Sequence, residues 1–230
     1  LALPPQVLAR VSLENDERVF TIEDALAVCG TCGLPAIFDV FHHSLNAPAH
    51  GTQAYWLDRA MESWSPQHGR PKLHYSQQLA GGKPGMHSRF IGMKDFLEFH
   101  RSLEERELDV MLEVKDKNLS AVKCINLTNP RLTRHELTRE WARYKYLILE
   151  RDQAAYNSFR AMLKADAPTA HDFYRLVEQT LEKEIHGPQA CNAAQHVWGY
   201  MDKLATAAEK KRVLTAMGDL QNGPQNLPRL

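Results

Sequence analysis

The first 125 residues alternate between short apolar runs and longer segments in which apolar positions recur every three or four residues. The short runs predict β-strands at residues 7–13, 36–38, 72–75 and 109–114. The longer segments predict helices at residues 22–30, 52–62 and 93–107, the first capped by Thr21 with Asp24 as its partner. A loop that carries His42, His43 and His50 is expected before the second helix. Strands that alternate with helices predict a parallel sheet with right-handed crossovers.

From residue 131 onward the apolar positions follow a helical spacing throughout. Five segments predict helices, and they cover residues 133–149, 153–163, 171–185, 189–204 and 207–217. Pro and Gly residues separate several of these segments, as is typical of the ends of helices. We therefore expect two domains, at residues 1–128 and 129–222, followed by a flexible tail at 223–230.

The formal net charge of zero is the sum of two unequal halves. Residues 1–130 carry 13 basic and 16 acidic side chains, a net charge of −3, whereas residues 131–230 carry 15 and 12, a net charge of +3. A neutral chain does not coat nucleic acid by bulk charge, although a local basic groove is compatible with it. No apolar run approaches the roughly 20 residues of a membrane helix, which excludes a spanning role. Without a signal-peptide pattern, and with only four Cys, the chain is expected in the cytoplasm.

Four polar residues lie at or near the carboxyl ends of the predicted strands. Glu14, Asp39, His74 and Glu113 are separated by 25, 35 and 39 residues, about the length of one strand–helix unit. A chemically active residue at every strand end is typical of a (β/α)8 barrel, whereas a doubly wound sheet collects its site at one switch point. Four strands make half of such a barrel. The expected fold class is therefore α/β, half of a TIM barrel followed by an all-α domain.

The same strand ends carry a set of carboxylates and imidazoles that could hold metal ions. Its members are Glu14, Asp39, His42, His74, His87 and Glu113. Oxygen and imidazole ligands without Cys favour Mn²⁺, Fe²⁺ or Zn²⁺, and several carboxylates could bridge two or more ions. Such clusters support phosphate-ester hydrolysis. The alternative is a group of isolated carboxylates around a histidine of the core.

Five motifs carry a resemblance to a known family: LENDE at residues 13–17, PAIFDVFHH at 35–43, KLHYS at 72–76, MHS at 86–88 and DVMLEVKDK at 109–117. In this order and at these intervals they resemble the C-terminal half of the UV damage endonucleases, over about residues 5–125. The resemblance implies a metal-dependent TIM barrel, usually with a manganese cluster, that incises double-stranded DNA immediately 5′ to UV photoproducts. It also implies a bacterial, nucleoid-associated activity, and no obligate protein partner is expected.

Carried over by motif, the resemblance assigns roles to individual residues. Glu14 would bridge metal ions, and Asp39, His42, His74, His87 and Glu113 would be further ligands. Glu14, Lys72 and Glu113 would be the catalytic residues. The Lys72 amine would lie at the cluster, and in members of the family this lysine can be carboxylated on its amine. Lys115 and Lys117 follow the last strand and could contact DNA phosphates.

The helical region resembles a module of unknown function that is appended to some bacterial members of the family. The matching motifs are WARYKY at residues 141–146, NAAQHVWGY at 192–200 and EKKR at 209–212. Arg143 and Lys145 alternate with aromatic residues and are candidate DNA contacts.

Helical spacing assigns two faces within this region. Trp141, Tyr144 and Ile148 lie on one face and predict a core stripe. For Asn192, His196 and Tyr200, spaced at i, i+4 and i+8, a buried hydrogen-bond network is expected, with a polar site as the alternative.

Two other functions remain open from the sequence. The family's first barrel half, which supplies further His ligands and the side chains that probe damaged bases, has no match here, and residue 1 is not Met. We therefore expect a fragment that binds metal weakly or not at all and is inactive alone. One alternative is a metal-dependent TIM-barrel sugar isomerase or epimerase, and the other is a non-catalytic DNA-binding fragment.

Overall fold

The computed structural model describes residues 3–165 and 167–221. The chain divides into two compact units, Leu1–Ile125 and Asn126–Leu230. The tail predicted at residues 223–230 lies outside the described residues.

Four parallel strands form the sheet of the first unit, in the order β1-β2-β3-β4. They are β1 Leu13–Glu14, β2 Ala36–Asp39, β3 Lys72–Tyr75 and β4 Asp109–Leu112. The helices of this part of the chain are α1 Pro5–Leu8, α2 Ile22–Cys32, α3 Val40–Leu45, α4 Gln53–Glu62, α5 Met93–Ser102 and α6 Asn118–Thr128, with a 3-10 turn at Pro66–His68. The predicted α/β class with a parallel sheet is confirmed.

Local hydrogen bonds explain where α2 begins and ends. The Thr21 hydroxyl accepts from the Asp24 backbone N–H at 3.3 Å, and the Asp24 carboxylate accepts from the Thr21 N–H at 2.9 Å. This reciprocal cap is the one predicted from the sequence. The helix stops at Gly33, whose φ of 64° is a left-handed conformation that glycine adopts without strain.

Several predicted boundaries in the first unit were wrong. The strand expected at residues 7–13 is only Leu13–Glu14, because the chain from Pro5 forms a helical turn, in which a proline at the first position needs no N–H partner. The loop expected after β2 begins with helix α3, which Asp39 caps. Helix α5 ends at Ser102 rather than at residue 107, and Glu104 is in a left-handed conformation with φ of 53°. Helix α6 was not predicted.

The core of the first unit lies between the sheet and its helices. Ile22 of α2, Phe38 of β2, Leu73 of β3 and Ile91 are all 0% exposed. On β3, the Tyr75 ring stacks on Phe99 of α5 with centroids 4.1 Å apart. Strand β2 is buried along most of its length, which holds the carboxyl end of the sheet in a fixed place.

The second unit is helical. Its helices are α7 Arg134–Leu149, α8 Gln153–Met162, α9 Ala170–Leu181, α10 Gly187–Trp198 and α11 Ala207–Gln221, with a 3-10 turn at Asp202–Leu204. Trp141, Tyr144 and Ile148 are buried, as predicted, and the Trp141 ring stacks on Phe159 at 4.8 Å. In the same unit, the Tyr174 hydroxyl donates to Glu140 at 3.2 Å, so this buried carboxylate has a polar partner.

The buried network expected at Asn192, His196 and Tyr200 was wrong. Helix α10 ends at Trp198, so Tyr200 does not continue its face. His196 and Tyr200 are exposed to solvent.

Across the helices that the structure describes, none combines the length and apolar character needed to cross a membrane.

Candidate metal centre

The sheet brings the predicted strand-end residues to one edge. Glu14 ends β1 and Asp39 ends β2, where Asp39 is in register with His74 of β3. Glu113 follows β4 directly, and its backbone N–H donates to the Tyr75 carbonyl at 3.0 Å. Because carboxyl ends of parallel strands meet at one edge, these four side chains converge.

Glu14 is shared by two groups of candidate ligands. One group is Glu14, Asp39 and His42, and the other is Glu14, His74 and Glu113; within each, the ligand atoms lie within 4.8 Å of one another. Glu14 Oε1 lies 3.5 Å from His42 Nδ1, and Glu14 Oε2 lies 3.1 Å from His74 Nδ1. Each oxygen therefore faces a different group, which is the arrangement of a bridging carboxylate.

Asp39 is the most buried member of the cluster. Its side chain is 0% exposed; Oδ1 accepts from the His42 backbone N–H at 2.7 Å, and Oδ2 has no hydrogen-bond partner. Burial raises the pKa of Asp39 to about 6, and the neighbouring carboxylates of Glu14 and Glu113 add to this effect. A buried carboxylate oxygen with no donor is an acceptor that a cation would satisfy.

His74 lies between two carboxylates. Its Nδ1 is 3.1 Å from Glu14 Oε2 and 3.3 Å from Glu113 Oε1, although neither contact has the angles of a good ring hydrogen bond. Burial alone would lower the pKa of His74, but the contact with Glu14 and the charges of Glu113 and Asp39 outweigh it and raise the pKa. Burial alone would raise the pKa of Glu14, but the contact with His74 and its charge outweigh this effect, so the pKa of Glu14 is lowered. The raised pKa of His74 favours its protonated form at a point where a cation could replace the proton.

His42 is oriented by a backbone carbonyl. Its Nδ1 lies 2.9 Å from the backbone carbonyl oxygen of Asn15, and this contact orients the ring in the chain without metal. Nε2 lies 3.9 Å from a carboxylate oxygen of Glu17. Glu17 was not among the predicted ligands, although it lies inside the LENDE motif.

His87 lies at the edge of the cluster. Its Nδ1 is 3.7 Å from Glu113 Oε2, outside the two groups described above. The ring packs edge-on against Phe41 at 5.3 Å and lies 5.8 Å from the His42 ring. His43, by contrast, is buried against Phe38, and burial lowers its pKa.

Asn15 holds two strands of the site together and was missed from the sequence. Its side-chain N–H donates to the Asp39 carbonyl at 3.0 Å, and its oxygen accepts from the Asp39 N–H at 2.9 Å. The residue is 1% exposed. The sequence shows only an asparagine between Glu14 and Asp16, which does not indicate a partner 24 residues away.

Lys72 lies away from the cluster. Its ammonium is 5.8 Å from the centroid of the Trp64 ring, whose N–H donates to the Ala36 carbonyl at 2.8 Å. Ala36 begins β2 and Asp39 ends it, about 10 Å further along the strand. The structure therefore does not bring Lys72 to the cluster, and its role there stays a prediction.

The predicted DNA contacts lie in two places. Lys115 and Lys117 are exposed just after β4, and Lys117 has a left-handed φ of 52°. Arg143 and Lys145 belong to α7 in the second unit, where Arg143 Nε lies 3.3 Å from Glu140.

Two family models match the chain. One, described as UV-endonuclease UvdE, matches residues 1–140, and the other, described as a protein of unknown function (DUF1722), matches residues 145–230. The UV DNA damage endonuclease of Clostridium perfringens is 34% identical over 188 residues, covering 77% of this chain and 44% of that protein. The UV DNA damage endonuclease of Bacillus pumilus is 29% identical over 125 residues, covering 54% and 39%.

A solved structure also matches. The crystal structure of SacUVDE has a TM-score of 0.50 and 36% sequence identity, and the match covers 54% of this chain and 40% of that one. The chain thus spans less than half the length of each relative named here. Because the UvdE model matches more than half of its residues, the chain belongs to the UvdE family of UV-endonucleases.

Proposed function

We propose that the first unit supplies part of the multi-metal site of a DNA repair endonuclease. The substrate would be double-stranded DNA with UV lesions, and the phosphodiester bond 5′ to the lesion would be incised. The relatives' names support the class of activity, and the sharing of Glu14 between two ligand groups is the observation that carries the proposal. A repair enzyme of this kind would act on chromosomal DNA in the bacterial cytoplasm.

The donor set fits divalent cations of intermediate hardness. Glu14 would bridge a cation held by Asp39 and His42 and another held by His74 and Glu113, with His87 as a further ligand beside Glu113. Mn²⁺ suits this mixture of carboxylates and imidazoles, and Zn²⁺ and Fe²⁺ fit the same ligands. Bound cations would neutralise the charge that develops on the phosphate oxygens during hydrolysis.

The residues of this chain prepare the site in three ways. The α3 N–H at His42 fixes one oxygen of Asp39 and leaves the other directed at the cluster. The Asn15 backbone carbonyl orients the His42 ring. The carboxylates of Glu14 and Glu113 favour the protonated form of His74, and that proton would leave when a cation binds.

Lysines at the edge of the site would contact the substrate. Lys115 and Lys117, which are exposed beyond Glu113, would contact DNA phosphates. Among the catalytic candidates, Glu14 and Glu113 lie in the cluster, whereas Lys72 keeps only the support of its motif.

A chimera tests the proposal, because a relative supplies the rest of the site. Residues 5–125 would replace the corresponding segment of the Clostridium perfringens relative. In Mn²⁺, the chimera should convert UV-irradiated supercoiled plasmid to the nicked form and leave unirradiated plasmid intact. Glu14→Gln and Glu113→Gln should abolish nicking, whereas Glu62→Gln, on the exposed side of α4, should not. A folded, metal-loaded chimera that does not nick irradiated plasmid would contradict the proposal.

The 230-residue chain alone is expected to be inactive in the same assay. It presents four barrel strands, and the family assigns further ligands to strands that have no match here. The sugar isomerase alternative predicts ketose turnover with Mn²⁺ instead, and the family match favours the endonuclease.

A further inference from the structure

The second unit carries a cluster of aromatic and basic side chains that the proposed incision does not use. We name the tyrosine–lysine cluster by its members, Lys145, Tyr146, His196 and Tyr200. The hydroxyl oxygens of Tyr146 and Tyr200 lie 3.0 Å apart, and the Lys145 ammonium donates to the Tyr200 hydroxyl at 3.4 Å. The same ammonium lies 4.6 Å from the Tyr146 ring centroid, and the Tyr146 and His196 rings are stacked at 6.3 Å.

These rings are not part of the core. Tyr200 is 69% exposed and His196 is also exposed, whereas Trp141 and Tyr144, on the same helix as Tyr146, are 9% and 4% exposed. On α7, Trp141 and Tyr144 are therefore buried, whereas Tyr146 is half-buried. Tyr200 contacts Lys145 and Tyr146 through its hydroxyl and exposes most of its surface to solvent.

The charge of Lys145 is available to an anion. Within the part of the chain that the structure describes, Lys145 contacts tyrosine hydroxyls and rings rather than a carboxylate. Arg143, two residues earlier, is half exposed and lies beside Glu140. The C-terminal hundred residues carry an excess of three basic side chains, so the charge of this unit favours a polyanion.

We propose that the tyrosine–lysine cluster binds single-stranded nucleic acid, with an unpaired base stacked on Tyr200 and a backbone phosphate at Lys145. Exposed aromatic rings beside cations are the elements with which proteins bind single strands without reading their sequence. A duplex does not offer its base faces, which favours a single strand as the occupant. DNA and RNA single strands share this chemistry. The proposal does not rest on incision, because it uses neither the metal cluster nor a lesion.

The test measures binding of the full chain to fluorescently labelled oligonucleotides in EDTA. The probes are an oligothymidylate of about 12 nucleotides, within the site sizes seen for such proteins, and an abasic strand of equal length. Fluorescence anisotropy should show tighter binding to the oligothymidylate. Tyr200→Leu should weaken that binding by about 10-fold and leave the abasic strand unaffected, because only the stacked base is lost. An oligouridylate in parallel shows whether RNA or DNA is the preferred source.

Lys145→Gln should weaken binding to both strands and reduce the slope of log affinity against log salt by about 0.7, the value for one phosphate contact in a single strand. Lys211→Gln, at an exposed lysine of α11, is the matched control and should leave both affinities and the salt slope nearly unchanged. The proposal is overturned if the chain binds neither strand, if Tyr200→Leu leaves oligothymidylate affinity unchanged, or if a duplex binds as tightly as the single strand. Because Tyr200 is at the surface, the circular dichroism of the Tyr200→Leu variant should match that of the unchanged chain.

Discussion

Asp39→Asn is expected to change stability and metal binding in opposite directions. Asn has nearly the volume of Asp and keeps an oxygen to accept the His42 N–H that caps α3. It removes the negative charge from a side chain that is 0% exposed and whose Oδ2 has no donor. The new amide group can donate to the neighbouring Glu14 carboxylate.

The magnitude follows from the pKa of Asp39. The difference between about 6 in the folded chain and 3.8 for a free aspartate corresponds to about 3 kcal/mol, at about 1.4 kcal/mol per pH unit. Because the folded pKa is the higher one, the folded state binds the proton more tightly. The contribution of Asp39 to stability is therefore most favourable below about pH 4 and is lost as the pH rises through 6. At pH 7 without metal, Asp39→Asn should stabilise the first unit by up to about 3 kcal/mol.

With metal the sign reverses. Loss of a charged ligand should weaken Mn²⁺ binding at least about 10-fold, since even residues that only support ligands have effects of that size. Urea unfolding in EDTA, followed by hydrogen exchange of peptides from the first unit, measures the stability, and calorimetric titration measures the affinity. Asp58→Asn, at an exposed ion pair with Arg106, is the control, with an expected stability loss below about 1 kcal/mol. If Asp39→Asn lowers metal-free stability and leaves Mn²⁺ affinity unchanged, Asp39 is a structural aspartate and the reasoning is refuted.

Three further changes test the surrounding structure. Carboxylate neighbours raise the pKa of His74 against the effect of burial, so its contribution to metal-free stability should be lost as the pH rises above 6.5; Mn²⁺ affinity should rise over the same interval in titrations, and a flat profile would count against proton displacement. Asn15→Ala should cost the first unit about 2 to 4 kcal/mol in urea unfolding, since it leaves the Asp39 N–H and C=O without their partner; a loss as small as that of Asn46→Ala, expected near 1 kcal/mol, would contradict this. Phe159→Ala should cost the helical unit about 3 to 5 kcal/mol, and a change below 1 kcal/mol would show that the stack on Trp141 is not its core.

The sequence predicted the elements whose signals are local. Strands β2 and β3 are short apolar runs, and Thr21 and Asp24, three residues apart in the sequence, form the cap of α2. The strand ends then follow, because parallel strands place their carboxyl ends together. This is why the position of Glu14, Asp39, His74 and Glu113 at one edge could be anticipated.

The missed features depend on contacts between distant residues or on where an element ends. The pairing of Asn15 with Asp39 joins positions 24 residues apart, and no local sequence pattern indicates it. Helix α3 is six residues long, too short for a helical repeat of apolar positions to be visible. Tyr200 shares a helical face with His196 only if α10 continues, and the helix stops at Trp198.

The role of Lys72 at the cluster is expected from its motif alone. Its ammonium lies beside Trp64 near the start of the strand, so that role stays a prediction. Side-chain direction depends on which neighbours are present, and a motif does not contain them.

The central claim is that Glu14 bridges two cation positions, and Mn²⁺ stoichiometry tests it most directly. Because a partial set of ligands is expected to bind weakly, the chain would be titrated with Mn²⁺ to millimolar concentration and followed by equilibrium dialysis and electron paramagnetic resonance. The two ligand groups predict two Mn²⁺ per chain with an exchange-coupled spectrum, and Glu14→Gln should abolish the coupling. A single uncoupled Mn²⁺, or a coupled pair that survives Glu14→Gln, would contradict the account.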